Sequence, residues 1–253
     1  MGWATGRHAL ITGGGTGIGA AAARMLAAEG ARVSLLGRRK DPLDAVAAET
    51  GGTAIPCDLT DRAAMEAAFT AAREANGPFD FVILNAGIGD SAPFLRTSRA
   101  SFDAIIATNL TAVFDGAQLS LPDLVEGDGK RLIVVASVAG LKGAAYAAPY
   151  VASKHGAVGL VKSLALEFAK GGLTVNAVCP AFVDTAMVDE SAARIARVSS
   201  RSVEESRQAL ARMNANQRLA TPEEVAFVIA NLCHPLSGSV NGACVTIDGG
   251  TSA

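Results

Sequence analysis

Short apolar runs alternate with longer helical patterns along most of the chain. The runs are His8–Thr12, Arg32–Leu36, Thr53–Cys57, Phe79–Leu84, Leu132–Ala136, Leu173–Val178 and Ala243–Ile247. Several are nearly unbroken Val, Ile and Leu. That suits strands buried on both faces, as in a parallel sheet covered by helices. Gly17–Glu29 is alanine-rich and stops at Gly30. Asp61–Asn76 follows Thr60, an expected N-cap, and ends before Gly77-Pro78. Ser101–Val125 contains Pro122, which is expected to end or kink it. Pro149–Lys170 stops at Gly171-Gly172. Thr221-Pro222-Glu223-Glu224 opens the last helix, with Pro in the first turn and acids at the positive end of the dipole.

The alternating order implies right-handed crossovers and a doubly wound α/β sheet with helices on both faces. No linker, repeat or composition break divides residues 1–253, so one domain around a seven-stranded parallel sheet is expected. Residues 183–218 depart from the rhythm. They are polar, helical in composition and without a strand signal. The segment reads as a lid over the strand C-termini, the alternative being a surface excursion.

Composition narrows the function classes. Half of the 253 residues are hydrophobic, enough for a sizeable core, and the formal net charge is -2. With no basic excess, neither nucleic acid nor an anionic membrane is expected as partner. The four cysteines, Cys57, Cys179, Cys233 and Cys244, form no CxxC pair and read as small buried residues in a reducing compartment. His8, His155 and His234 are scattered, so no metal site is expected. The N-terminus does not read as a signal peptide, and no uncharged run approaches the roughly 18 apolar residues of a membrane span. The expected location is cytoplasmic.

Candidate chemistry begins at "ITGGGTGIGAAAARMLAAEG", residues 11–30. The first strand runs straight into Gly13-Gly14-Gly15-Thr16-Gly17-Ile18-Gly19, and a helix follows. Glycine lets the backbone approach a pyrophosphate, and the helix N-terminus offers free N–H groups and a positive dipole end. The fold is therefore expected to be Rossmann-type. Tyr150 and Lys154 lie at i and i+4, on one helix face. A phenol of pKa about 10 is a poor base at neutral pH. A neighbouring ammonium is expected to lower that value, so that Tyr150 exchanges a proton with a carbonyl or alcohol oxygen. Ser137, at the C-terminal end of a strand, can hold the same oxygen.

The spacing Thr12-Gly13-x-x-x-Gly17-x-Gly19 resembles the short-chain dehydrogenase/reductase family. "NAG" at Asn85-Ala86-Gly87, "TNL" at residues 108–110, "SVAG" at 137–140, "YVASK" at 150–154 and the terminal "DGG" follow in order, so the resemblance covers essentially the whole chain. It implies an NAD(P)-dependent oxidoreductase that moves a hydride between nicotinamide and a carbonyl or secondary alcohol. It implies Asn109, Ser137, Tyr150 and Lys154 as the catalytic set, with Asn109 holding a water near the lysine. It further implies cofactor contacts at Gly13, Thr16, Gly17, Ile18, Gly19, Asp58, Leu59, Asn85, Ala86, Gly87, Tyr150, Lys154, Pro180, Val183 and Thr185. Asp58 resembles the aspartate that meets the adenine amino group, and Lys154 also binds the nicotinamide ribose. The usual Pro-Gly is here Pro180-Ala181.

The second strand ends in Gly37-Arg38-Arg39, where an acid would favour the free ribose of NAD. Arginines there can bind a 2′-phosphate, so NADP(H) is favoured and NAD(H) stays possible. The neutral Gly14–Thr16 stretch weakens that preference. Substrate contacts are expected from Ser137, Tyr146, Tyr150 and Phe182. A 3-oxoacyl or 3-hydroxyacyl thioester is the leading substrate; the alternative is a free aliphatic or aromatic secondary alcohol or ketone. Arg194, Arg197, Arg201, Arg207 and Arg212 are candidates to meet thioester-carrier phosphates, or else form a solvated face with Glu204 and Glu205. A non-catalytic nucleotide-binding regulator is disfavoured by the intact four-residue set. The resemblance implies a homo-oligomer, a homotetramer or a dimer.

Overall fold

The computed structural model describes residues 2–252. The strands are β1 (His8–Thr12), β2 (Arg32–Gly37), β3 (Thr53–Pro56), β4 (Phe81–Leu84), β5 (Lys130–Val135), β6 (Leu173–Pro180) and β7 (Cys244–Ile247). They form one seven-stranded sheet in the order β3-β2-β1-β4-β5-β6-β7, with each neighbouring pair parallel. The helices are α1 (Gly17–Ala28), α2 (Lys40–Thr50), α3 (Arg62–Asn76), α4 (Arg99–Ile106), α5 (Ala112–Leu124), α6 (Ala148–Glu167), α7 (Ala186–Val198), α8 (Val203–Ala211) and α9 (Pro222–Cys233).

Side chains alternate across the sheet and build two cores. Ile11, Ile83, Ile133 and Val135 face a layer that includes Ala20–Ala23 of α1 and Val225, Ala226 and Ile229 of α9. Leu10, Val82, Leu132 and Val134 face Phe69 of α3, Val113 of α5 and Val161 of α6. Both faces are covered, which is why the strands carry no alternation in sequence. The strand order reverses between β1 and β4. At such a point the helices that follow the two strands leave on opposite faces and open a crevice at the strand C-termini.

Several local expectations need correction. The N-cap of α3 is Asp61, whose carboxylate accepts the Ala64 N–H at 3.1 Å; Thr60 instead donates to Asp58. Helix α2 had no strong sequence signal, because only Leu43 and Val46 of its residues are buried. The expected continuous helix over 101–125 is interrupted by a π-turn at Ala107–Thr111. Pro122 lies in the last turn of α5, two residues before the helix ends. Residues 183–218 form α7 and α8, packed on each other through Val188, Ala192 and Leu210. All four cysteines are free thiols, and three are buried. His8 is buried and bonded to Gly77 O and Ser34 Oγ, a structural role. Among the described residues, no helix is long and apolar enough to cross a membrane, and no His/Cys/Asp/Glu group is arranged for a metal.

Candidate active site

The glycine turn sits at the topological switch. Thr12 ends β1, and its hydroxyl accepts the N–H groups of Asn85 (2.9 Å) and Ala86 (3.1 Å). Asn85 returns the contact by donating its side-chain amide to Thr12 O at 2.9 Å. These bonds join the C-terminal ends of β1 and β4, which lie next to each other in the sheet. The Asn85 side chain is thereby committed to the turn itself. Gly13 has φ of 66°, a conformation that glycine adopts without strain. At Gly19 the space is closed: a Cβ there would lie 2.3 Å from Gly13 O and 2.6 Å from Asn85 Nδ2. The turn is folded tightly enough to bring bare backbone to the start of α1. That helix begins with no acidic residue in its first turn, and Thr16 makes no side-chain cap. Its first N–H groups therefore lack a side-chain acceptor, as a pyrophosphate site needs. These residues fit a dinucleotide.

Gly37 ends β2, and Arg38, Arg39, Asp58 and Leu59, the expected adenosine contacts, follow β2 and β3. Arg38 and Arg39 are exposed, and Arg39 Nη2 reaches Thr16 Oγ1 at 3.4 Å. Arg38 lies near enough to Asp58 to help depress its carboxyl, although bonds from the Thr60 N–H and hydroxyl contribute more. Leu59 is 7% exposed and packs in the core, so its side chain is not free for a ligand and only its backbone can serve.

The proposed chemical groups converge next to this turn. Ser137 follows β5 and starts a short turn at Val138–Gly140; its hydroxyl accepts from Ala139 N (3.1 Å) and donates to Pro180 O (3.2 Å). Tyr150 and Lys154 lie in the first two turns of α6, with Lys154 Nζ 5.7 Å from the Tyr150 ring centre. Lys154 is buried and donates to Val135 O at 2.8 Å. Gly140 makes this packing possible, since a Cβ there would meet Lys154 O at 2.7 Å. Gly87 faces the same point, with its Cβ direction 3.3 Å from Asn109 Oδ1 and 3.6 Å from Lys154 Nζ.

Asn109 is fully buried in the π-turn between α4 and α5. Its amide accepts from Ile88 N and donates to Ile88 O, each at 2.9 Å, and donates to Ser153 Oγ at 3.2 Å. Single-turn π segments often mark functional positions. Ser153 was not singled out from sequence. It is buried and donates to Tyr150 O at 2.8 Å, so it links Asn109 to the backbone of the tyrosine. Its only sequence signal is a small polar residue three positions after Tyr150, on the same helix face.

The charge states correct one expectation. Lys154 does not dominate the Tyr150 phenol. Burial pushes the phenol up, and the Ser137 hydroxyl beside it pulls it down. Burial acts on the lysine in the opposite sense and lowers it to about 8. Desolvation penalises whichever form is charged, so the phenol stays protonated while the ammonium becomes easy to deprotonate.

The remaining predicted residues lie around the rim. Val183 is buried and pairs with Ala220, and Thr185 Oγ1 donates to Val183 O at 3.3 Å. The Thr185 methyl lies over Gly17, 3.1 Å from where its Cβ would stand. Phe182 is partly buried against the α7–α8 cluster, so its ring is engaged in holding those helices. Asn214, which sequence reasoning passed over, grips Phe182 N at 3.2 Å and Phe182 O at 3.0 Å. Arg194 pairs with Asp90 at 3.2 Å, and Arg207 pairs with Asp184 and Asp189. Of the five candidate arginines, Arg194 and Arg207 are thus ion-paired within the chain, and Arg212 Nη2 reaches Gln208 Oε1 at 3.5 Å. Tyr146 is exposed in the loop before α6.

This arrangement is that of a doubly wound α/β domain with a glycine turn at its topological switch point. The sequence model of the short chain dehydrogenase family matches residues 7–196, and the chain belongs to that family. It is 34% identical to 3-oxoacyl-[acyl-carrier-protein] reductase MabA of Mycobacterium tuberculosis, over 96% of this chain and 92% of the relative. It is 36% identical to levodione reductase of Leifsonia aquatica, over 98% and 95% of the two chains. The levodione reductase crystal structure superposes with a TM-score of 0.92, at 35% identity and 98% coverage of each chain. A variant of actinorhodin polyketide ketoreductase with NADPH also gives 0.92, at 33% identity and 97% coverage of each. The protein is an NAD(P)-dependent oxidoreductase acting on CH–OH and C=O groups.

Proposed function

We propose that the protein is an NADP(H)-preferring carbonyl reductase, with Asn109, Ser137, Tyr150 and Lys154 as its working set. The observation that carries this reading is the convergence of the Ser137 hydroxyl, the Tyr150 phenol and the Lys154 ammonium beside the glycine turn. Gly13, Thr16, Gly17, Ile18 and Gly19 would hold the pyrophosphate of the cofactor. Arg38, Arg39, Asp58 and the Leu59 backbone would hold its adenosine. Asn85, Ala86, Gly87, Pro180, Val183 and Thr185 would hold the nicotinamide half. When bound, the nicotinamide supplies or accepts the hydride at the carbonyl carbon.

The chain's own groups handle the oxygen. Ser137 donates a hydrogen bond to the carbonyl oxygen and fixes its direction. Tyr150, held protonated by burial, gives its phenolic proton to that oxygen as negative charge develops. Lys154 stabilises the phenolate left behind and binds the nicotinamide ribose hydroxyls. Asn109 and Ser153 position this pair, through Ile88 and the Tyr150 carbonyl. The resting protonation state suits the reductive direction.

The pH dependence follows from Lys154. Its charge is present below about 8 and lost above it. We expect kcat/KM for ketone reduction to fall as pH rises through about 8. A profile flat from pH 7 to beyond 9 would remove Lys154 charge from the mechanism.

Two substrate classes have support. A 3-oxoacyl thioester is favoured by the likeness to 3-oxoacyl-[acyl-carrier-protein] reductase MabA. A free ketone is favoured by the likeness to levodione reductase and by the engagement of Arg194 and Arg207 in internal pairs. One assay tests both points: oxidation of NADPH and NADH by the purified protein with a 3-oxoacyl-CoA and a panel of free ketones. Arg38→Ala should weaken NADPH about tenfold or more and leave NADH nearly unaffected, as loss of a charge-assisted phosphate contact requires. Equal losses would argue against a 2′-phosphate contact. No turnover with any of these would sink the reductase reading. The family resemblance also supports a homo-oligomer; the polar, helical α7–α8 segment is read as a lid, and the sequence pattern as that of a cytoplasmic protein.

A further inference from the structure

We propose that Tyr146 is a specificity-determining residue that gives its exposed ring to the apolar body of the substrate; this rests on the reductase reading above. Tyr146 has φ of 65°, and the only other non-glycine residue with positive φ among the described residues is Gln217. That region is strained for a bulky side chain. The fold requires the conformation nonetheless. Ala92 N donates to Tyr146 O at 2.8 Å, which clasps the loop before α6 to the loop after β4. Glycine or asparagine would meet the same demand with less strain.

A bulky residue in such a place can offset its strain by burying its side chain. Tyr146 does not, being 66% exposed at the end of an exposed stretch, Leu141–Tyr146. Its ring is therefore not retained for packing. Tyr146 stands four residues before Tyr150, in the loop that leads into α6. Phe94 and Leu95 begin two residues beyond the clasp partner Ala92 and are 74% and 97% exposed. Met187 approaches the same loop from α7, its Sδ 3.5 Å from the Cβ direction of Gly89. An aromatic and aliphatic rim of this kind suits a carbonyl compound with an apolar substituent of ring size or larger. A phenyl ketone and a long-chain 3-oxoacyl thioester share that chemistry.

The test compares kcat/KM for a phenyl ketone, a long-chain 3-oxoacyl-CoA and a small aliphatic ketone in the whole enzyme. Tyr146→Asn tolerates the left-handed backbone and removes the ring; Tyr146→Phe keeps the ring. The Asn variant should lose about tenfold or more on the preferred apolar substrate relative to the small ketone, chiefly through KM, as the loss of one ring contact predicts. Its melting temperature should not fall, and the Phe variant should keep the wild-type selectivity. The apolar substrate that suffers identifies the source. A uniform loss across the three, no loss, or a lower melting temperature in Tyr146→Asn would overturn the assignment. Wild-type protein that reduces none of the three would instead overturn the reductase reading, and this inference with it, before any variant is compared.

Discussion

Replacing Tyr150 by phenylalanine is expected to lower turnover by about 10²–10⁴-fold, the range for loss of a positioned general acid. Cofactor affinity should be nearly unchanged. The substitution removes one oxygen and keeps the ring that packs beside Lys154. About 10³-fold corresponds to roughly 4 kcal/mol of barrier, far more than an ordinary neutral hydrogen bond provides. Ser137 cannot take over. Its hydroxyl orients the carbonyl oxygen by a hydrogen bond, and an aliphatic alcohol is a far weaker acid than a phenol. The measurements are kcat with a ketone and the reduced cofactor, alongside a cofactor titration. Full activity in this variant would remove Tyr150 from the proton-transfer step. Lost cofactor binding would mean that the hydroxyl serves binding rather than proton transfer.

The second large effect is expected at Gly19. Helix propensity alone favours Gly19→Ala by roughly 1 kcal/mol. The close approach opposes it and prevails. A methyl group would stand 2.3 Å from the Gly13 carbonyl oxygen, a backbone atom that cannot swing aside as a side chain can. Overpacking of this kind costs about 1–3 kcal/mol, and the displaced turn is the one stitched by Thr12 and Asn85. We expect a lower melting temperature and cofactor affinity weakened by about 100-fold or more, equal to about 2.7 kcal/mol. Thermal unfolding and fluorescence titration with NADPH would report the two effects separately. A variant that is more stable and still binds would mean that the turn opens freely, and that the bare backbone there is not what the cofactor requires.

These two residues differ in how they could be read. Tyr150 was legible because five motifs, the glycine turn, NAG, TNL, SVAG and YVASK, stand in a fixed order along the chain. Gly19 was legible as a glycine of the turn, but its contact with Gly13 and Asn85 depends on β4 lying beside β1. The missed helix α2 has few buried residues, so its apolar periodicity is weak. The π-turn at 107–111 carries no local sequence signature; it forms where α4 and α5 join and buries Asn109. Leu59 and Phe182 were assigned to ligands, yet their side chains are packed into hydrophobic clusters. In a loop, position along the chain carries no information on where a side chain points.

Strand content and the motifs belong to the sequence itself. A run buried on both faces must be apolar throughout, a turn that brings backbone to a phosphate needs glycine, and a Tyr–Lys pair at i and i+4 shares a helix face. Those constraints act between near neighbours, so they leave their mark locally. Only the tertiary structure decided how the pieces meet. It placed the Ser137 hydroxyl against Pro180, buried Lys154 until its pKa fell to about 8, and kept the Tyr150 phenol protonated. It also turned Tyr146 into the left-handed region to reach Ala92. Each of these depends on desolvation or on contacts between residues distant in sequence, and such terms exist only once the sheet has brought the loops together.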